Sequence, residues 1–189
     1  MLSRHDKEKL LRQKAMVLWL VGLSGSGKST LARALEQALH ERGFLTYLLD
    51  GDNLRSGLNK NLGFSEEDRL ENIRRAAEAA RLMLEGGLIT ICSFISPTVS
   101  IRNMARTIIG KHDFYEIYVN APLETCEERD VKGLYAKARQ GEIRNFTGIS
   151  APFEAPENPF LEVRTDQQDV ESCKKRILNA LLPIVSQNR

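Results

Sequence analysis

Five short apolar runs punctuate the chain, at 17–21, 45–49, 88–94, 114–120 and, more weakly, 161–165. The first four are nearly continuous in apolar residues, Val17-Leu18-Trp19-Leu20-Val21 most clearly. That is the pattern of strands covered on both faces. Between them the period becomes helical. Segment 28–42 stops at Gly43, and 66–85 carries Ile73, Ala76, Ala77, Ala80 and Leu84 on one stripe before Gly86-Gly87. Segment 100–109 follows Pro97, and Val170, Cys173, Ile177, Leu181 and Ile184 line a last amphipathic helix. Strands alternating with helices predict an α/β fold, a parallel sheet with right-handed crossovers and helices on both faces. Ligands should then lie at the carboxyl ends of the strands.

Segment 130–159 breaks the alternation. It is basic, has little periodicity and, with Pro122 just before it, holds four of the six prolines. A long irregular stretch in a compact domain reads as a functional lid, and Tyr135, Phe146 and Phe153 argue against plain disorder. The 189 residues suit one domain. We read 1–15 as an N-terminal extension and 16–189 as a single domain with its lid at about 130–159.

Charge and composition narrow the classes. Lys and Arg number 27 against 25 Asp and Glu, a net charge of +2 that does not point to nucleic acid. No apolar stretch approaches a membrane span. The charged start from Ser3 to Lys9 has no apolar core of a secretory leader. The three cysteines, Cys92, Cys126 and Cys173, are far apart and read as buried thiols of a reducing cytoplasm.

The first apolar run leads into Gly22-Leu23-Ser24-Gly25-Ser26-Gly27-Lys28-Ser29, and a helical segment begins at once with Thr30-Leu31-Ala32. Strand, G-x-x-x-x-G-K-S and helix make a phosphate loop (P-loop) for a nucleoside triphosphate. Its amides and the helix dipole face phosphate oxygens, Lys28 reaches the β- and γ-phosphates, and the Ser29 hydroxyl holds Mg²⁺. The second strand ends in Asp50-Gly51-Asp52, where a carboxylate can orient the metal or take a proton from an attacking hydroxyl. Arg55 follows, and Arg69, Asn72 and Arg75 share a helix face at spacings of three. Arginines and an amide so spaced suit phosphate or sulfate; Arg74, Arg75 and Arg81 are read as a solvated basic face. Phe64 and Phe146 could stack on a base, at about 1–3 kcal/mol, or staple their own loops.

Taken together, these segments resemble the adenylyl-sulfate kinase (APS kinase) family. The matches are the phosphate loop through Thr30, Asp50-Gly51-Asp52-Asn53-Leu54-Arg55, Leu62-Gly63-Phe64-Ser65, the run from Asp68 to Arg75, Phe94-Ile95-Ser96-Pro97, the run from Lys132 to Arg139, Asn145-Phe146-Thr147-Gly148-Ile149, and the run from Phe153 to Glu157. The resemblance covers nearly the whole chain from Leu18. It implies that ATP phosphorylates the 3′-hydroxyl of adenylyl sulfate in a homodimeric enzyme of sulfate assimilation. ATP would lie on residues 22–30 with Arg129 and Asp130, and Mg²⁺ on Ser29 and Asp52. Asp52, Lys28, Ser96 and Lys132 would be the catalytic group. The acceptor would meet Arg55, Phe64, Arg69, Asn72, Ile95, Ser96, Lys132, Leu134, Phe146, Thr147 and Gly148, with its adenine between the two phenylalanines. Ser96 matches a family serine described as phosphorylated. No base near it in sequence would activate it, and in-line transfer needs no covalent step, so we read it as an acceptor contact.

Three positions depart from the family pattern. Thr98-Val99 replaces an aromatic or His followed by Arg, which removes a cation although Arg102 remains. Asn61 stands for Asp. Val131 stands for Pro, whose absence frees the unfolded loop by about 0.4–1 kcal/mol. These bear on the acceptor rather than on the triphosphate machinery. Two other readings stay open: a small-molecule P-loop kinase with another nucleotide-like anionic acceptor, and a nucleotide-dependent switch. For a GTPase, Asn59-Lys60-Asn61-Leu62 lacks the Asp of the N-K-x-D base reader.

Overall fold

The chain's most apolar run becomes the centre of its sheet. In the structure, a computed structural model describing residues 2–130 and 132–186, β1 (Met16–Val21) is buried at all six positions. It lies between β3 (Ile89–Ser93) and β4 (Phe114–Asn120), with β2 (Thr46–Asp50) and β5 (Leu161–Arg164) at the edges. The order is β2-β3-β1-β4-β5 and every pairing is parallel. β2 therefore departs from the expectation of a strand covered on both sides. As an edge strand it leaves Tyr47 exposed.

Strand alternation sorts the core into two layers. Leu18 and Leu20 point to the face covered by α2 (Lys28–His40) and α8 (Val170–Val185), packing with Leu31, Leu35, Ile177 and Leu181. Val17 and Trp19 point to the other face, under α4 (Glu66–Glu85) and α5 (Val99–Ile109). There Ala76, Ala77 and Ala80 line the buried stripe of α4 and Ala105 that of α5. The Ser65 hydroxyl caps α4 by accepting from Asp68 N, and Thr98 caps α5 by accepting from Ile101 N.

Four helices were invisible to periodicity because each has eight residues or fewer: α1 (Arg4–Leu11), α3 (Gly51–Ser56), α6 (Leu123–Arg129) and α7 (Leu134–Arg139). α1 changes the reading of the first fifteen residues. Arg4 grips Asp113 through two bonds of 2.8 Å and donates to Ala15 O at 2.9 Å. Buried Gln13 donates to Leu45 O and Gly87 O and accepts from Leu45 N. The segment thus fastens the amino ends of β1, β2, β3 and β4 together rather than trailing from the domain. The lid also has order of its own. Tyr135, Ala138 and Phe146 pack with Ala121 and Cys126 into a third cluster that reaches Leu23 of the phosphate loop. Val131 lies outside the described residues.

Candidate active site

The carboxyl ends of β1, β2 and β3 deliver Val21, Asp50 and Ser93 to one rim of the sheet, where the phosphate loop joins β1 to α2. The loop needs its glycines. Gly25 and Gly27 have φ of 75° and 94°, in the left-handed region. A Cβ on Gly22 would stand 2.4 Å from Val119 O, and one on Gly25 2.8 Å from Cys126 O. Other parts of the fold hold the loop's carbonyls from outside. Tyr135 Oη donates to Ser24 O at 2.9 Å, Arg129 Nη1 to Gly25 O at 3.3 Å, and Thr165 Oγ1 to Ser26 O at 2.8 Å. Carbonyls gripped in this way turn loop amides toward an anion. Among the described residues the Ser26 hydroxyl, buried within the loop, has no hydrogen-bond partner, and Ser29 and Thr30 are exposed on the first turn of α2. Lys28 Nζ donates to Leu23 O at 2.7 Å. Burial pushes its ammonium down to about 8, and the charge of Lys132 acts in the same direction.

The acidic pair divides its work. Asp50 Oδ1 accepts from Asp52 N and Asn53 N, capping α3. Asp52 is 77% exposed and meets the lid, with Lys132 Nζ at 3.1 and 2.9 Å from its two oxygens. Beside it, Arg55 Nη1 donates to Leu62 O and Gly63 O, and Arg69 Nε donates to Phe64 O. The two arginines hold out Phe64, 67% exposed, with the Arg55 guanidinium 4.3 Å from its ring centroid. Arg69 Nη1 reaches Thr147 Oγ1 at 3.3 Å. Among the described residues neither arginine has a carboxylate partner. Burial, then repulsion from Arg55, holds Arg69 below its usual value. Thr147 and Gly148 close the lid side, with Gly148 against Leu23 and Leu123, and Leu134 packs into the lid cluster.

Several side chains expected on ligands are engaged within the protein. Ser96 is 1% exposed, and its Oγ accepts from Trp19 Nε1 at 3.0 Å. That leaves Ile95, which is partly exposed, and the loop backbone to face outward. Asn72 is buried and its Oδ1 accepts from Asn59 Nδ2 at 2.9 Å. Phe146 is buried edge-on against Tyr135 at 5.0 Å between centroids, with none of the exposure of Phe64. Asp130 accepts from Tyr135 N and Ala136 N, so it caps α7. Arg129 binds Thr165 as well as the phosphate loop. Arg75 is more than a solvated cation, since it donates to Leu58 O and to Asn61 Oδ1. Arg102 does not replace the cation missing at Thr98-Val99, because it is buried and faces inward. The cause is common to all of these. Residue type and spacing set the chemistry available, while the partner arrives from a distant element. Thr165, 139 residues from Ser26, had no sequence signal. Tyr135 had one only as part of the segment from Lys132 to Arg139.

The sheet order, the phosphate loop and the facing carboxylate define a phosphotransferase of the P-loop class. Residues 14–164 match the model of the adenylylsulphate kinase family. The chain is 61% identical over 183 residues to an adenylyl-sulfate kinase of Bacteroides thetaiotaomicron, covering 97% of this chain and 91% of that one. Its fold superposes with a TM-score of 0.86 on the Mycobacterium tuberculosis APS kinase solved with AMPPNP and APS, at 44% identity, covering 89% of this chain and 98% of that one. A hexameric APS kinase from Thiobacillus denitrificans is more distant, with a TM-score of 0.69 at 31% identity, covering 90% of this chain and 29% of that one. The chain belongs to the adenylyl-sulfate kinase family.

Proposed function

We propose that this chain transfers the γ-phosphoryl group of ATP to the 3′-hydroxyl of adenylyl sulfate, giving ADP and 3′-phosphoadenylyl sulfate. The observation that carries the reading is the pair Arg55 and Arg69, without carboxylate partners among the described residues and presenting Phe64, on the same rim as Asp52 and the phosphate loop. Two guanidiniums and an aromatic face suit an anionic nucleotide better than a sugar. Transfer then follows from position. The phosphate loop and Lys28 hold the triphosphate, and Asp52 accepts the proton of the 3′-hydroxyl. Its oxygen attacks the γ-phosphorus as the bond to the β,γ-bridging oxygen breaks. Lys132, on the lid, leaves Asp52 to cover the phosphates.

Mg²⁺ fits the donors present. An exposed hydroxyl on Ser29 and an exposed carboxylate on Asp52 are hard oxygen ligands, and the ion usually keeps waters and phosphate oxygens besides one or two carboxylates. When bound it neutralises charge across the β- and γ-phosphates. Among the described residues no cluster of three or more His, Cys, Asp or Glu offers an all-protein metal site, which suits an ion delivered with ATP. We place the enzyme in the cytoplasm as a homodimer. Its three free buried thiols suit a reducing compartment, and among the described residues no helix is long and apolar enough to cross a membrane.

The test is ADP release from Mg·ATP with and without micromolar adenylyl sulfate, with the product examined for a 3′-phosphate. Strong stimulation and that product are expected. ATP binding without stimulation would overturn the acceptor assignment and turn attention to other nucleotides. Mass measurement in solution tests the dimer.

A further inference from the structure

Beneath the loop that carries Ile95 and Ser96 lies a buried chain of charge that no step above uses. Glu116 stands in the middle of β4, paired in register with Trp19 of β1, and is 5% exposed. α5 covers it with two arginines one turn apart. Arg106 Nη2 donates to Glu116 Oε2 at 3.0 Å, while Arg102 Nε lies 3.2 Å from Oε1 as an ion pair, and among the described residues that oxygen has no hydrogen-bond partner. Arg102 is itself only 3% exposed. As a source of stability this arrangement is poor. Removing both charges from water offsets most of their attraction, and a well-packed apolar pair commonly does as well or better.

What the pair does have is a geometric output. The Glu116 charge keeps the Arg102 guanidinium in this buried layer as an ion pair without a hydrogen bond, and Nη1 donates to Ser96 O at 3.0 Å. Ser96 has φ 45°, a conformation that a non-glycine residue keeps only where its surroundings impose it. Trp19 imposes it from the other side. Its Nε1 donates to Ser96 Oγ at 3.0 Å, and its ring is set between Phe94 and Phe114, 5.3 and 5.6 Å away. Glu154 pins the far end of the same loop, accepting from Val99 N at 2.6 Å and donating through its own N to Pro97 O at 2.8 Å.

We propose that Glu116 is a positioning residue for the acceptor nucleotide. Acting through Arg102, and opposite Trp19, it holds the backbone of Ile95 and Ser96 in the shape that receives adenylyl sulfate. The inference rests on the reading of the acceptor given above. It also separates the two substrates. The phosphate loop is braced by Tyr135, Arg129 and Thr165, and among the described residues no side-chain hydrogen bond or ion pair joins it to Glu116, so a change at Glu116 acts on the acceptor more than on ATP.

Two variants of the full chain test this. Glu116→Gln weakens the grip on Arg102. Arg102→Met with Glu116→Leu removes both charges, keeps the layer packed and takes away the donor to Ser96. For each, the KM values for adenylyl sulfate and ATP, the Tm and the indole ¹H–¹⁵N resonance of Trp19, the chain's one tryptophan, are measured. Both variants are expected to raise the KM for adenylyl sulfate about tenfold, as for loss of one charge-assisted hydrogen bond, to leave the KM for ATP unchanged, and to move the Trp19 resonance. A folded double variant with wild-type KM for adenylyl sulfate would overturn the proposal, as would an equal rise in both KM values. Should Glu116→Gln fail to fold, the double variant decides. If the wild-type protein shows no stimulation by adenylyl sulfate, the acceptor reading fails by itself. The Trp19 resonance then still tests the link from Glu116 to the loop, and an unmoved resonance refutes it.

Discussion

Arg4→Ala removes a clamp at the end of the sheet farthest from the phosphate loop. Arg4 makes a two-pronged pair with Asp113, both bonds 2.8 Å, and further bonds to Ala15 O at 2.9 Å and Glu8 Oε1 at 3.0 Å. The Asp113 carboxylate holds its guanidinium above the usual value. The two side chains are 21% and 22% exposed, so the pair lies between two limits. Exposed pairs contribute about 0–1 kcal/mol and breaking a fully buried one costs about 3–5 kcal/mol. A loss of roughly 2 kcal/mol is expected on that scale, because Asp113 is left partly buried without its partner. For a chain of this length each kcal/mol moves the Tm by about 2–4 °C, so the fall should be about 4–8 °C. Thermal unfolding followed by circular dichroism measures it, with Arg4→Lys as the comparison. Lysine keeps the charge but loses the fork, so it should recover only part of the loss. Turnover and both KM values well below the Tm should equal those of the wild type. A Tm change under about 2 °C, on the same scale, would mean that α1 is an appendage after all.

Further outcomes follow from the site and the core. Thr165→Val removes the donor to Ser26 O and a partner of Arg129; the KM for ATP should rise about tenfold with that for the acceptor unchanged, and two unchanged values would show that the phosphate loop holds itself. Because Lys28 lies down at about 8 and must be protonated to grip phosphate, kcat/KM for ATP should fall as pH rises through that value. Bound phosphate favours the ammonium, so the kcat profile should break at higher pH, and a kcat/KM profile flat well past 8 would refute the assignment. Its folded value lies below the ordinary 10.5, so Lys28 destabilises the fold while protonated and this cost disappears as pH rises from about 8 to 10.5. Cys92, Cys126 and Cys173 are fully buried, and burial pushes each thiol up; none should react with a thiol reagent until denaturant is added, and rapid native labelling of any one would contradict the packing. Asp52→Ala should nearly abolish transfer while ATP binding, measured by calorimetry, largely survives; near-normal turnover would remove Asp52 from the chemistry.

How much was legible differs from element to element. The span of β4 and that of α4 were read to the residue, since seven and twenty residues of clear pattern suffice to set a period. The residues of α1 offered eight with little apolar contrast, and their meaning lies in Asp113, 109 positions away. By residue type and spacing Asp50 and Asp52 are equivalent, and it is the family resemblance that points to Asp52. The start of α3 at Gly51 gives the physical reason, making Asp50 a cap and leaving Asp52 exposed to Lys132. Ser96 read as a ligand contact because its neighbours match a motif, and it is Trp19, on another strand, that takes its hydroxyl.

By itself the sequence determined the strand–loop–helix that binds a triphosphate, the parallel α/β class and the family. Each rests on local spacing, and local spacing is what glycine φ angles, helix faces and strand alternation respond to. Tertiary structure decided which side chains are free to act. The order β2-β3-β1-β4-β5 brings β1 between β3 and β4 and sets Trp19 beside Glu116. It also carries Thr165 back to Ser26 from the far end of the chain. A buried donor or charge must find a partner wherever the fold supplies one. That partner is fixed by the packing of distant segments, which no local pattern encodes.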